Sequence, residues 1–290
     1  MNNQSQHDHV HESGNRHSAD GEYSPAAGKF AADTVAHTTT EGLDTDRLAI
    51  PVGGDESPLP AYVARPAGGT DLPTVIVLPE IFGLHEHIAD IARRLAHEGY
   101  LAVAIDPIAR HGDPGSFTTA DEIVTGLLQA IPDAVVMRDI DRAVAWAGDN
   151  GGNPDRVAVT GFCWGGRWAW LYAAHQKVNA AVAWYGIIDG TASGAYPDPT
   201  TFPRHPADLA EDLQTPILGL YGGQDPAIPL ETITALKDRL AERSGGVDAD
   251  IAVFPEAGHA FFADYRETYH PPSAAMAWTL ALKWLRQQGV

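Results

Sequence analysis

With 290 residues, 44% of them hydrophobic, the chain is long enough to bury one large α/β core, or two small ones, without disulfide staples. Its single cysteine, Cys163, excludes an internal disulfide, and a thiol that must stay reduced points to the cytoplasm. A formal net charge of −19 argues against nucleic acid and anionic membrane surfaces as partners, and no apolar run approaches the length of a membrane span.

Residues 1–42 read as a polar, His-rich arm of little order, because up to Asp20 there is almost no large apolar residue to offset the entropy of ordering. His7, His9, His11 and His17 lack carboxylate or cysteine partners at fixed spacing, so a solvated tail is expected there and no metal site. No leader-like apolar segment is visible in the first twenty residues. The patterned domain spans 43–290. Alternating runs at 47–52 and 59–65, separated by Gly-Gly-Asp-Glu-Ser, predict an antiparallel hairpin at a sheet edge. Continuous apolar runs at 74–78 and 101–105 suit strands covered on both faces, with an amphipathic helix over 87–98 between them, ended by Gly99. Helices are predicted over 118–129 and 132–147, then a strand over 157–160. Further strands at 180–184, 216–220 and 251–254 are followed by helices at 230–243 and 272–287. Strands alternating with helices predict a mostly parallel central sheet with helices on both faces. Residues 191–206, rich in Pro, Thr and Gly, read as an irregular insertion near a pocket.

The stretch 157–168, Val-Ala-Val-Thr-Gly-Phe-Cys-Trp-Gly-Gly-Arg-Trp, joins a β-branched run to a helical one through Gly-x-Cys-x-Gly-Gly. That is the strand–turn–helix of a nucleophile elbow, with Cys163 where the commoner form has Ser. The turn strains the backbone at the nucleophile, and Gly161 and Gly165 let the strand and helix backbones close on each other. The helix start turns free N–H groups and the positive dipole end toward the sulfur, which favours a thiolate and a developing oxyanion. Taken alone, the motif also fits a tight turn around a buried, inert cysteine.

An elbow nucleophile takes an acid and then a His, in that chain order, from loops after later strands. Asp225 follows the run at 216–220 in Tyr-Gly-Gly-Gln-Asp-Pro, and His259 follows the run at 251–254 in Glu-Ala-Gly-His-Ala-Phe-Phe. His259 is the expected acceptor of the thiol proton, and Asp225 would fix its tautomer and orientation. Leu-Pro-Glu-Ile-Phe-Gly at 78–83 follows the first buried strand, where this architecture draws its second oxyanion donor; the backbone N–H groups of Ile81 and Trp164 are the expected pair. Glu80 is read as an acceptor for the thiol hydrogen or its proton, against a capping or salt-bridging role. Phe82, Trp164, Tyr185, Phe261 and Phe262 flank these positions and predict a small aromatic pocket, with core packing as the competing reading. His85 and His87 lack a third ligand of obvious origin, so a capping or surface role is expected rather than a metal site.

On these residues the sequence resembles the dienelactone hydrolases, cysteine-dependent members of the α/β-hydrolase superfamily. The resemblance runs from about 44 to 288. It is carried by Glu-Ile-Phe-Gly at 80–83, Gly-Tyr at 99–100 through Asp106, Gly-x-Cys-x-Gly-Gly at 161–166, Gly-Gly-Gln-Asp at 222–225 and Gly-His-Ala-Phe at 258–261. It implies an α/β-hydrolase fold, Cys163 as nucleophile, Asp225 and His259 as its partners, and Glu80 beside the resting thiol. In dienelactone-cleaving members two arginines grip the substrate carboxylate, one of them four residues beyond the catalytic His. Here that position is Ala263, and residues 118–129 contain no Arg, which leaves Arg266 and Arg110 as candidates to reach the pocket.

A thiolate leaves a tetrahedral intermediate far more readily than a simple alkoxide. Cys163 therefore predicts a preference for activated substrates, such as enol lactones, enol esters and aryl esters, cleaved through a thioester. The expected partner is a small ester or lactone, with no cofactor and no metal, in a monomer or homodimer. Two alternatives stand beside this: a ligand-binding protein on the same scaffold whose thiol does not turn over, and a glutamine-amidotransferase-like Cys enzyme.

Overall fold

A computed structural model describes residues 23–54, 56–191 and 193–290. Eight strands form one sheet in the order β1-β2-β4-β3-β5-β6-β7-β8. At the edge, β1 (Leu43–Ile50) and β2 (Leu59–Pro66) pair antiparallel, Leu43 opposite Pro66 and Ile50 opposite Leu59. Among the described residues β1 is the edge strand, and five of its eight residues are exposed. From there inward the strands are β4 (Leu101–Ile105), β3 (Leu72–Leu78), β5 (Gly152–Phe162), β6 (Ala180–Trp184), β7 (Ile217–Gly222) and β8 (Ala249–Phe254), and β4 through β8 run parallel. Every residue of β4 and β6 is buried, as strands with helices on both faces must be.

Five of the six helices among the described residues make those layers. α1 (Glu86–His97) packs on β2 and β4, and α3 (Asp133–Asp149) packs on β5 and β4. α4 (Trp164–His175) lies on β5 and β6, α5 (Leu230–Glu242) on β8, and α6 (Pro271–Gln287) on β6 and β7. α4 buries ten of its twelve residues, the pattern of a helix apolar all round and enclosed in the core. The sheet grows outward in both directions from β3 and β5: α1 carries the chain from β3 to β4, and the next connection crosses back to β5. A crevice opens above the carboxyl ends of strands at such a switch point. The turns after β3 and β5, which carry Glu80 and Cys163, both open there.

Two expectations are corrected. The single helix expected over 118–129 is α2 (Ala120–Gly126) followed by a 3-10 turn, Leu128–Ala130. Gly126 is a poor helix former against which Phe117 packs, and Leu127 leaves the helical region (φ −131°, ψ −58°), so that it and Leu128 are both buried. Nor are residues 23–42 a loose arm. Tyr23 stacks on Tyr265, and Phe30 forms an antiparallel bridge with Arg266. The Thr38 N–H donates to Asp90, and the Thr38 carbonyl accepts from Arg93. Aromatic and backbone groups of this segment, rather than a hydrophobic run of its own, provide the compensation for ordering. Residues 1–22, with the four histidines, lie outside the described residues. Among the described residues no helix is long and apolar enough to cross a membrane.

Candidate active site

Cys163 occupies the turn between β5 and α4 with φ 53° and ψ −108°, a conformation that a non-glycine residue keeps only when its surroundings impose it. The surroundings are backbone. A Cβ on Gly161 would land on the Gly165 carbonyl oxygen, and one on Gly165 would sit 2.5 Å from the carbonyl oxygen of Leu78. The Cys163 N–H donates to the Trp184 carbonyl at 2.9 Å, and the Gly165 N–H to the Pro79 carbonyl at 3.0 Å. The elbow is thus pinned between the ends of β3 and β6. Trp164 opens α4, so its N–H has no acceptor within the helix. Ile81 stands in the turn after β3, and both residues border the same cavity as Cys163.

His259 comes from the loop after β8 and Asp225 from the turn after β7, and the fold brings both to the sulfur. His259 Nε2 lies 3.3 Å from Cys163 Sγ, and Nδ1 lies 2.7 Å from Asp225 Oδ2. The other Asp225 oxygen, Oδ1, accepts from the N–H groups of Ala227 (2.8 Å) and Ile228 (3.2 Å), so the carboxylate is aimed by its own turn. Tyr185 meets the His259 ring edge-on at 5.4 Å. Among the described residues four non-glycines have positive φ, and three of them, Cys163, Tyr185 and Ala260, border this constellation. Burial alone would push the His259 imidazole down. The negative charge of the Cys163 sulfur and the Asp225 carboxylate outweigh it and raise the ring to about 10, which favours the imidazolium.

Glu80 is fully buried. Its Oε2 accepts from the Tyr265 hydroxyl at 2.6 Å, while Oε1 is buried without a hydrogen-bond partner. The sulfur faces His259, and Glu80 Oε2 faces the Tyr265 hydroxyl. Burial pushes the Glu80 carboxyl up, but His85, Arg266 and His87 around it outweigh that and bring it down to about 2. His85 and His87 are not surface residues. His85 stands at the N-cap position of α1 without a side-chain capping bond, its Nε2 3.5 Å from Glu80 Oε2. His87 is buried with Nδ1 2.9 Å from Asp264 Oδ1. Sequence spacing missed His87 because the carboxylate that receives it, Asp264, lies far along the chain, whereas the Glu80 that faces His85 stands close by in sequence. Among the described residues no cluster of side chains could hold a metal ion.

The cavity beside the sulfur measures about 640 Å³ and is bordered by Ile81, Phe82, Trp164, His259 and Arg266, with residues of α2, 187–189 and 193–196. The irregular insertion does lie at the pocket. Arg266 sits over the Phe82 ring at 5.7 Å, and no carboxylate among the described residues forms a salt bridge with it. Arg110 does not reach the cavity: its Nη2 binds both oxygens of Asp139 at 2.6 Å and its Nη1 binds Glu56 at 3.1 Å. Phe261 is core, packed on Trp184, Tyr185 and Phe254, and Tyr185 supports His259 from behind with none of its surface exposed. Arg167, which the sequence reading passed over, also borders the cavity. It is fully buried, with Nη1 and Nη2 on Asp133 at 2.9 and 3.1 Å. An arginine one helical turn beyond the elbow, in an otherwise apolar helix, was the available signal that a buried carboxylate must answer it.

A parallel sheet that gathers an elbow nucleophile, a His and an Asp at the carboxyl ends of its strands defines an α/β-hydrolase. The model of the dienelactone hydrolase family matches residues 59–289. A protein of Salmonella typhimurium (strain LT2) named "Putative carboxymethylenebutenolidase" is 47% identical over 269 residues, covering 92% of this chain and 96% of that one. A Bradyrhizobium protein named "Probable 2-oxo-3-(5-oxofuran-2-ylidene)propanoate lactonase" is 32% identical over 249 residues, covering 85% of this chain and 96% of that one. A crystal structure from Klebsiella pneumoniae, described as a "Putative Dienelactone Hydrolase", superposes with a TM-score of 0.78 at 45% identity, over 84% of this chain and 99% of that one. The chain belongs to the dienelactone hydrolase family and is a hydrolase, which sets aside the glutamine-amidotransferase-like alternative.

Proposed function

We propose that this hydrolase cleaves enol lactones and other activated carboxylic esters through a thioester on Cys163. The observation that carries the reading is the chain of contacts from Asp225 Oδ2 through His259 to Sγ, 2.7 Å and 3.3 Å long. The thiol proton passes to His259 Nε2, and the thiolate attacks the acyl carbon. Negative charge developing on the carbonyl oxygen meets the backbone N–H groups of Trp164 and Ile81. The carbon–oxygen bond breaks, the enolate or aryloxide leaves and takes the proton from His259, and a thioester remains. Water, deprotonated by His259, attacks the thioester; the acid leaves and Cys163 regains its proton. Glu80, ionised and with Oε1 unfilled, is the second acceptor for the thiol hydrogen. Arg266, a cation at the cavity with no salt-bridge partner among the described residues, is the anchor for a substrate carboxylate in place of the family arginine absent at Ala263. Relatives named a lactonase and carboxymethylenebutenolidases fit this substrate class.

The test is steady-state hydrolysis of a panel of enol lactones, p-nitrophenyl esters and ethyl esters of the same acids. Cys163→Ala is expected to lower turnover by at least roughly a thousandfold, and ethyl esters are expected to react far more slowly than p-nitrophenyl esters. Equal rates for the two ester types would refute the substrate class. A stoichiometric burst without turnover would favour the binding-protein alternative.

A further inference from the structure

Residues 23–34 lie along the segment 264–267 and touch each of its four residues. The Phe30 backbone bridges to Arg266, and the Ala31 N–H donates to the Tyr265 carbonyl at 2.9 Å. Thr34 Oγ1 donates to the Asp264 carbonyl at 2.5 Å, and Lys29 pairs with Glu267 at 2.8 Å. The Tyr23 ring stacks on the Tyr265 ring, with centroids 4.3 Å apart and planes within 11°. Phe30 covers the assembly, stacked on Tyr23 at 5.0 Å and itself half exposed. Tyr265 is the residue whose hydroxyl donates to Glu80 Oε2.

We propose that Tyr23 is a positioning residue for the reaction: its ring fixes the Tyr265 ring, and through the Tyr265 hydroxyl it fixes the Glu80 carboxylate. The segment that bears Tyr265 and Arg266 has no regular secondary structure between β8 and α6, so its geometry depends on neighbours rather than on a helix or ladder of its own. His85 and His87 meet the Tyr265 ring obliquely, at 5.1 and 5.3 Å, while Tyr23 lies flat on it and closes it from the N-terminal side. Only the ring is at work, because the Tyr23 hydroxyl is buried without a hydrogen-bond partner among the described residues. A catalytic carboxylate displaced by even an ångström loses rate steeply. The inference rests on the role proposed above for Glu80.

The experiment measures kcat and KM on a p-nitrophenyl ester for the full chain and for Tyr23→Ala, Tyr23→Phe, Tyr265→Phe and the double variant Tyr23→Ala/Tyr265→Phe. Circular dichroism at the assay temperature gives the folded fraction of each. Tyr23→Ala is expected to lower kcat by roughly tenfold or more with a smaller change in KM, and Tyr23→Phe to keep the original kcat. In the Tyr265→Phe background, Tyr23→Ala is expected to cost nothing further, because the hydroxyl through which it acts is gone. Tyr23→Leu, bulky but not flat, carries the same expectation if the Ala variant does not fold. Effects that multiply in the double variant would overturn the proposal. So would an unchanged kcat in Tyr23→Ala or Tyr265→Phe, a Tyr23→Phe as slow as the Ala variant, or a kcat that falls only with the folded fraction. An inactive unmodified chain, or turnover that survives Cys163→Ala, would remove the proposed reaction and this inference with it; the other outcomes remove the inference alone.

Discussion

At the scale of single residues, the proton between Cys163 and His259 is held by two anions, the sulfur and the Asp225 carboxylate, against the pull of burial. A His whose pKa is raised keeps its charge until the pH climbs through the new value. With His259 raised to about 10, kcat/KM on a p-nitrophenyl ester is expected to hold across neutral pH and to fall as the imidazolium is lost near pH 10. Asp225→Asn removes one of the two anions. The alkaline limb should then move to lower pH, and kcat should drop by roughly a hundred- to ten-thousandfold; a pH–rate profile of both proteins checks this. Cys163, Asp225 and His259 were legible in the sequence because each stands just past a strand whose apolar run is unmistakable. Tyr265 was not legible. It is six residues beyond His259 with no motif around it, and only the folded loop places its hydroxyl on Glu80.

At the scale of elements, one buried ion pair joins three pieces of the molecule. Arg167 on α4 binds Asp133 at the start of α3, and its Nη2 also donates to the Arg204 carbonyl in the insertion, at 2.9 Å. The rings of Trp168, Tyr196 and Phe202 surround the guanidinium at 4.9, 4.7 and 5.6 Å. Removing one partner strands the other charge, so Asp133→Ala is expected to destabilise the fold by about 3–5 kcal/mol. Arg167→Met combined with Asp133→Leu is expected to recover most of that loss, because no uncompensated charge remains. Urea unfolding midpoints for the single and double variants make the comparison. Helix positions were legible from periodicity and breakers, and α1, α5 and α6 fall within one or two residues of expectation. The break at Leu127 was not, because it depends on where Phe117 and two buried leucines pack rather than on local propensity.

At the scale of the whole molecule, the sheet order places β3 and β5 side by side with their carboxyl ends in one crevice, and the chain from Tyr23 to Thr38 packs on Tyr265, Arg266 and α1. The cost of the arrangement is a carboxylate buried in the core. Glu80 has a folded pKa of about 2 against an ordinary value of 4.5. A depressed acid contributes stability that is fully present above its unfolded value and is lost as pH falls through the folded one. Stability is therefore expected to decline between about pH 4.5 and 2 more steeply in the unmodified chain than in Glu80→Gln, which has no such proton to take up. Denaturant unfolding at a series of pH values across that window decides the point, and parallel slopes would contradict it.

The sequence by itself determined the strand and helix alternation, the elbow at Cys163, and the places of Asp225 and His259 just past later strands. Each of these is written in local periodicity or in a short motif whose glycines permit only one backbone path. Tertiary structure alone decided that Glu80 receives the Tyr265 hydroxyl, and that Arg110 is consumed by Asp139 while Arg266 has no salt-bridge partner among the described residues. It also decided that the segment from Tyr23 onward packs on Tyr265 and α1. These are choices between partners far apart in the chain, settled by which charge or ring burial leaves within reach, and no local pattern records them.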